Sequence, residues 1–228
     1  RAVEVAPENA LAWARLAEIR SSLGDSRGAL DAAERAETLD PTLSRTHAVL
    51  GFAKLARVEI DEASAAFTKA IELDPADPLP RLGLGLAKIR RGFLREGGRE
   101  IEVAASLDPQ NALVRSYLGK VYDEEKRTQL DEREYAMAKQ LDPNDPTPWF
   151  YDAILREAEN KPVEALQELQ TSIEKNGNRA VYRSRLLVDD DAAARIASEA
   201  AVYGDLGFEK LAVVESTKAL AENAGNYS

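Results

Sequence analysis

Leu39-Asp40-Pro41, Leu73-Asp74-Pro75, Leu107-Asp108-Pro109 and Leu141-Asp142-Pro143 are one tripeptide written four times. The prolines stand at 41, 75, 109 and 143, so each step is 34 residues, and Pro7 sits one step earlier behind Ala6. A fixed period of this size marks a solenoid, in which each unit buries its apolar face only against its neighbours. Such arrays bind other molecules, and nothing in these residues names the partner.

Working outward from the tripeptide, repeats starting at Ala10, Ser44, Pro78, Ala112 and Pro146 bring small residues into register. Position 8 holds Ala17, Gly51, Gly85, Gly119 and Ala153. Position 20 holds Ala29, Ala63, Gly97, Asp131 and Ala165, and position 27 holds Ala36, Ala70, Ala104, Ala138 and Ser172. Position 7 is Leu16, Leu50, Leu84 and Leu118, then Asp152. Small residues allow close helix approach, and apolar ones at i, i+3, i+4 fill the seam. The spacing predicts two helices per repeat, near positions 1–14 and 17–30. Asp77-Pro78 and Asp145-Pro146 supply N-caps followed by proline at the first helical position, and Asn9 and Asn111 supply the same cap elsewhere. Gly24 and Gly92 fall between paired helices, where a tight turn needs them, and Lys161-Pro162 opens a second helix.

With Trp13 and Trp149 at position 4, Tyr122 at position 11, Phe67 and Tyr135 at position 24, and the periodic prolines, the chain resembles the tetratricopeptide repeat (TPR) family. The resemblance runs from residue 1 to about 175. It implies an all-α right-handed superhelical solenoid that acts as a non-catalytic protein-interaction scaffold. Departures from the family pattern are cations at position 11 (Arg20, Lys54, Lys88, Arg156) and Asp131 at a small-residue position. In the family, the first helix of each repeat lines a concave groove. Carried onto this chain, repeats two and three are expected to expose an apolar strip of Phe52, Leu55, Leu82, Leu86 and Ile89. Repeats four and five are expected to add Lys120, Asp123, Phe150 and Ile154. A helix or extended peptide is the expected occupant. An apolar strip also calls for cover, which preceding repeats or the stretch at 176–190 could equally supply. The clamp by which chaperone adaptors of the family hold a C-terminal carboxylate is not matched, since Ala14, Glu18, Val49, Leu79 and Gly83 occupy its first frame.

Asn176-Gly177-Asn178 stands where the next proline is due, and Ala200, Tyr203, Gly207, Ala212 and Ala219 resume the pattern 13 residues late, from a start at Ala193. The expected organisation is therefore the end of a preceding repeat helix at 1–9, five repeats over 10–175, an irregular connector at 176–190, and a sixth, off-register hairpin over 191–228. The opening Arg1-Ala2-Val3-Glu4-Val5-Ala6-Pro7 reads like a helix end, as though the chain began inside a repeat. The stretch from Tyr182 to Ala212 resembles a segment of large bacterial cell-envelope TPR proteins, in which the array precedes an outer-membrane β-barrel region. That likeness implies a bacterial source and favours the periplasm over the cytoplasm.

The formal charge of -10 disfavours nucleic acid and anionic membrane surfaces as partners. No apolar run approaches the roughly 18 residues of a membrane span, so direct insertion is not expected. With no cysteine and the single histidine His47 at a packing position, neither a nucleophilic triad nor a zinc site can be built. Neither cofactor nor metal is expected. Gly83-Leu84-Gly85 and Gly97-Gly98 lack the Lys-Ser/Thr of a phosphate loop. Two rivals to the scaffold remain: self-association through exposed repeat ends, and a hydrolase built on a carboxylate pair such as Glu124-Glu125 or those within Asp189-Asp190-Asp191.

Overall fold

A computed structural model describes residues 2–127, 129–176 and 192–222. Within them all regular structure is helical. After a short α1 (Ala2–Val5) come six antiparallel pairs: α2 (Ala10–Ser22) with α3 (Ser26–Leu39), α4 (Ser44–Ala56) with α5 (Ile60–Leu73), and α6 (Pro78–Arg90) with α7 (Leu94–Leu107). They continue as α8 (Ala112–Glu124) with α9 (Leu130–Leu141), α10 (Thr147–Ala158) with α11 (Pro162–Asn176), and α12 (Ala192–Asp205) with α13 (Glu209–Glu222). The expected all-α solenoid is the observed fold. From residue 177 onward, the connector expected at 176–190 lies outside the described residues.

The caps form as the residues dictate. Asn9, Asp77 and Asn111 accept hydrogen bonds from the backbone N–H groups of Ala12, Leu79 and Val114. Asp145 accepts from Thr147 N–H at 2.9 Å, so α10 starts one residue later than the proline suggested. At position 4, Trp13, His47 and Arg115 each bond a carbonyl six residues back, those of Pro7, Pro41 and Pro109. The lone histidine is thus a loop tether.

Each hairpin closes through one backbone device. The residue at position 15 is left-handed in all six: Gly24, Val58, Gly92, Lys126, Asn160 and Gly207 have φ between 57° and 88°. The N–H that follows it reaches back five residues to a helix carbonyl, as in Asp25 to Arg20, Glu59 to Lys54 and Phe93 to Lys88. This is the bond of a Schellman cap, which satisfies a carbonyl that the helix end leaves open.

Small residues set the helix spacing. A Cβ on Gly85 would lie 2.7 Å from the Gly97 carbonyl oxygen, and one on Gly97 would lie 2.5 Å from that of Gly85. The ring of Phe67 fills the space left by Gly51 on its own repeat and Gly83 on the next, and a Cβ on Gly51 would meet it at 2.6 Å. Three apolar clusters result. The first, between α2, α3 and α4, is mostly alanine (Ala14, Ala17, Ala32, Ala33, Ala36, Ala53). The second spans repeats two to five and holds Phe52, Phe67, Ile101, Tyr117, Tyr135 and Tyr151. The third joins Ala153, Ala165 and Leu169 to Val202 of α12, so the sixth hairpin docks on the fifth.

Asp152, seated where earlier repeats place leucine, is held by a buried network. Lys139 reaches both Asp152 and Glu168 at 2.6 Å, and Arg156 meets the other oxygen of Asp152 at 3.1 Å. The ions tie repeat four to repeat five where an apolar contact would otherwise stand.

Candidate partner-binding groove

Helices α2, α4, α6, α8 and α10 lie side by side, each touching the next, and their shared face forms the concave wall. Their close approach changes the expected strip. Leu55 and Leu82 are fully buried (0% exposed), and Phe52 and Leu86 nearly so (5% and 7%). Glycines 51, 83 and 85 bring the helices together, so Leu55 and Leu82 pack inside the array instead of facing the groove, while Phe52 and Leu86 keep only an edge on it. Phe52, for instance, meets Phe67 edge to face at 4.7 Å. Asp123 is buried too. Of the expected residues, Ile89, Lys120, Phe150 and Ile154 are half-buried and reach the surface.

An open cleft of about 400 Å³ remains in the middle of the array. It brings together Leu86, Ile89 and Lys120 from the expected set, and adds Arg90, Tyr117, Val121, Glu124 and Tyr151. Tyr117 and Tyr151 meet edge to face at 5.9 Å, and Lys120 Nζ stands 5.9 Å from the Tyr151 ring centre while pairing with Glu124 at 2.7 Å. The two tyrosines lie outside the family's groove positions, yet they stand one period apart at position 6, a recurrence visible in the sequence. Further along, burial and the facing charge of Asp205 raise the Glu157 carboxyl above its ordinary range. Among the described residues no group of three or more His or acidic side chains is placed to hold a metal, and no helix is long and apolar enough to cross a membrane.

Residues 49–77 match the family model described as Tetratricopeptide repeat. That stretch is a tetratricopeptide repeat, and the fold around it is that of a TPR solenoid. The TPR array is 38% identical over 71 residues to small glutamine-rich tetratricopeptide repeat-containing protein 2 of Saccharomyces cerevisiae; the match takes in 31% of the chain and 20% of the yeast protein. In fold, the TPR array superposes over 99% of its length on 42% of a chain from the APC/C hetero-tetramer Cut9–Hcn1, at TM-score 0.76 and 18% identity. It also covers 98% of a thermophilic TPR protein of Thermus thermophilus, using 83% of its own length, at TM-score 0.70 and 19% identity. The chain therefore spans less than half of the yeast protein and of the Cut9–Hcn1 chain. TPR proteins are in general protein-interaction scaffolds and typically non-catalytic, and their partners are proteins or peptides.

Asp131, with the charge of Asp123 acting on it, is one candidate for the carboxylate pair that a hydrolase would need. Burial, and then the Asp123 charge, raise the Asp131 carboxyl. Asp131 nevertheless sits in the helix seam, takes the Glu132 N–H at 2.7 Å, and does not line the cleft.

Proposed function

We propose that this TPR array is a non-catalytic scaffold that holds an extended peptide or helix of a partner protein against its concave wall. One apolar side chain of the partner sits in the cleft of Leu86, Ile89, Tyr117 and Tyr151. The observation that carries this reading is the cleft itself: an open, mostly apolar hollow floored by two aromatic rings in the middle of the wall. Burying one such side chain contributes roughly 1.5–3 kcal/mol, so backbone and polar contacts along the wall must supply the rest of the affinity. Asp at Phe52 would break the core, whereas Asp at the half-buried Ile89 or Ile154 changes the wall. The double variant Ile89→Asp with Ile154→Asp is expected to lose partner capture in pull-downs from native extract while keeping its helical circular dichroism. Capture that survives both changes would refute the groove.

The exposed Phe208, Leu211, Val213 and Val214 around α13 favour end-to-end self-association as a second reading, which sedimentation of Val213→Lys with Val214→Lys tests by loss of any dimer. The likeness of residues 182–212 to bacterial envelope proteins supports a periplasmic setting within a longer chain, and cell fractionation tests it.

A further inference from the structure

A second, narrower hollow opens on the concave wall towards its N-terminal end. Helices α2, α4 and α6, which pack side by side, enclose about 20 Å³ there. Val49, Phe52 and Leu79 wall it, and Glu18, Ser21 and Arg45 give it a polar side. Ser21 is 6% exposed, yet its hydroxyl makes no hydrogen bond among the described residues, whereas that of Ser22 donates to the Ile19 carbonyl at 2.8 Å. A buried hydroxyl without a partner costs free energy, so this one stands open to a ligand as both donor and acceptor. Glu18, buried beside it, accepts from Arg15 at 2.8 Å on one carboxylate oxygen and from Arg45 at 2.5 Å on the other. Each of those oxygens keeps a further lone pair.

Size and charge together select what enters. The space is little more than one water-sized group needs, so an aromatic ring or a branched aliphatic side chain stays outside. Charge at the hollow is balanced, because Arg15 and Arg45 offset Glu18 and Asp77, and an added ion of either sign would meet its like. A slim neutral tip that both donates and accepts satisfies Ser21 and Glu18 at once. The carboxamide of glutamine or asparagine is such a tip, on a stem that reaches past the half-exposed Arg45. The hollow centres on α4 and the Leu86–Tyr151 cleft on α8, and α6 borders both. Packed helices lie about 8–10 Å apart and an extended peptide rises about 3.3 Å per residue, so these two helix steps take about five or six residues. We propose that the groove's partner is an extended segment with a glutamine or asparagine that far from its apolar anchor, the carboxamide seated against Ser21 and Glu18. This rests on the groove reading above.

Fluorescence anisotropy of the whole chain with labelled peptides tests this, at near-physiological ionic strength so that the long-range pull of the acidic chain is screened. Each peptide carries one central phenylalanine in a Gly/Ala background. The first has glutamines at the fifth and sixth positions on both sides, and three others have lysine, glutamate or leucine there. A fifth moves the glutamines to the second and third positions, and a reference has none. The first peptide is expected to bind about tenfold tighter than every other. Ser21→Ala removes the hydroxyl and Ala48→Val fills the hollow. Each should cut that advantage about threefold or more, leaving the reference peptide and the helical circular dichroism unchanged. Lysine, glutamate or leucine binding as tightly as glutamine overturns the proposal, as does an advantage indifferent to spacing or to both substitutions, or no binding by any peptide. Ile89→Asp separates this outcome from the groove reading. If it weakens every peptide, the groove stands without the slot, and if it weakens none, both fall. With no binding at all, the pull-down above decides the groove.

Discussion

Replacing Gly85 by alanine adds one methyl group where the backbones of α6 and α7 meet glycine to glycine. The new carbon would stand 2.7 Å from the Gly97 carbonyl oxygen and 2.6 Å from Ile101 Cγ1. The isoleucine can turn aside but the carbonyl cannot, because it belongs to the α7 backbone. Helices α6 and α7 must therefore separate by some tenths of an ångström, which loosens Leu82, Leu86 and Ile101 around them. Overpacking of this kind costs roughly 1–3 kcal/mol, against a helix-propensity gain of roughly 0.5–1 kcal/mol for glycine to alanine. The expected balance is a net loss of about 1–2 kcal/mol, or about 0.5–1 M off the urea midpoint for a denaturant slope near 2 kcal/mol/M. Gly204 in α12 is the control, since a Cβ there meets nothing within 4 Å. Gly204→Ala should show the propensity term alone and raise stability by roughly 0.5–1 kcal/mol. Urea unfolding followed by circular dichroism reads both. Midpoints that move in the same direction would refute the claim that contact between glycines, not propensity, fixes the crossing.

Val58 is a β-branched residue at φ 64°, so Val58→Gly should relieve roughly 1 kcal/mol of strain and raise the melting temperature, unlike a glycine placed inside any helix. Asp131→Ala, which restores a small residue at position 20, should stabilise by roughly 1 kcal/mol at neutral pH. Burial holds the Asp131 carboxyl above 3.8, so the folded chain binds this proton more tightly than the unfolded chain does. Its cost is complete above the folded pKa and is relieved as pH falls towards 3.8, so the gain from Asp131→Ala should shrink in urea melts repeated near pH 4.

The fold was legible because its constraints are steric and periodic. Glycine or alanine at positions 8, 20 and 27 of the 34-residue period, with Asp131 and Ser172 the exceptions in the first five repeats, leaves only close helix pairs as a use for so many small side chains. The turn geometry was legible at Gly24 and Gly92 but hidden at Val58, Lys126 and Asn160, where the same left-handed backbone is imposed on residues that do not advertise it. The wall was the least legible part. Positions 9 and 12 do lie on the groove side, yet whether Phe52 or Leu55 faces solvent depends on how closely the next repeat approaches, and that is set by Gly51, Gly83 and Gly85 on neighbouring elements. The same closeness leaves Tyr117 and Tyr151 to floor the cleft.

The unequal lining of the three clusters has a mechanical side. Alanines between the first two hairpins bury little area per contact, aromatic rings lock the middle, and, among the described residues, a small aliphatic cluster joins the sixth hairpin to the fifth. Because each unit leans only on its neighbours, tension applied to the two ends is borne in series, and the softest joints yield first. Pulled, the array would peel from its ends and lengthen in steps of one hairpin while the aromatic middle kept its shape. A ligand seated in the cleft would be the last thing such a tether let go.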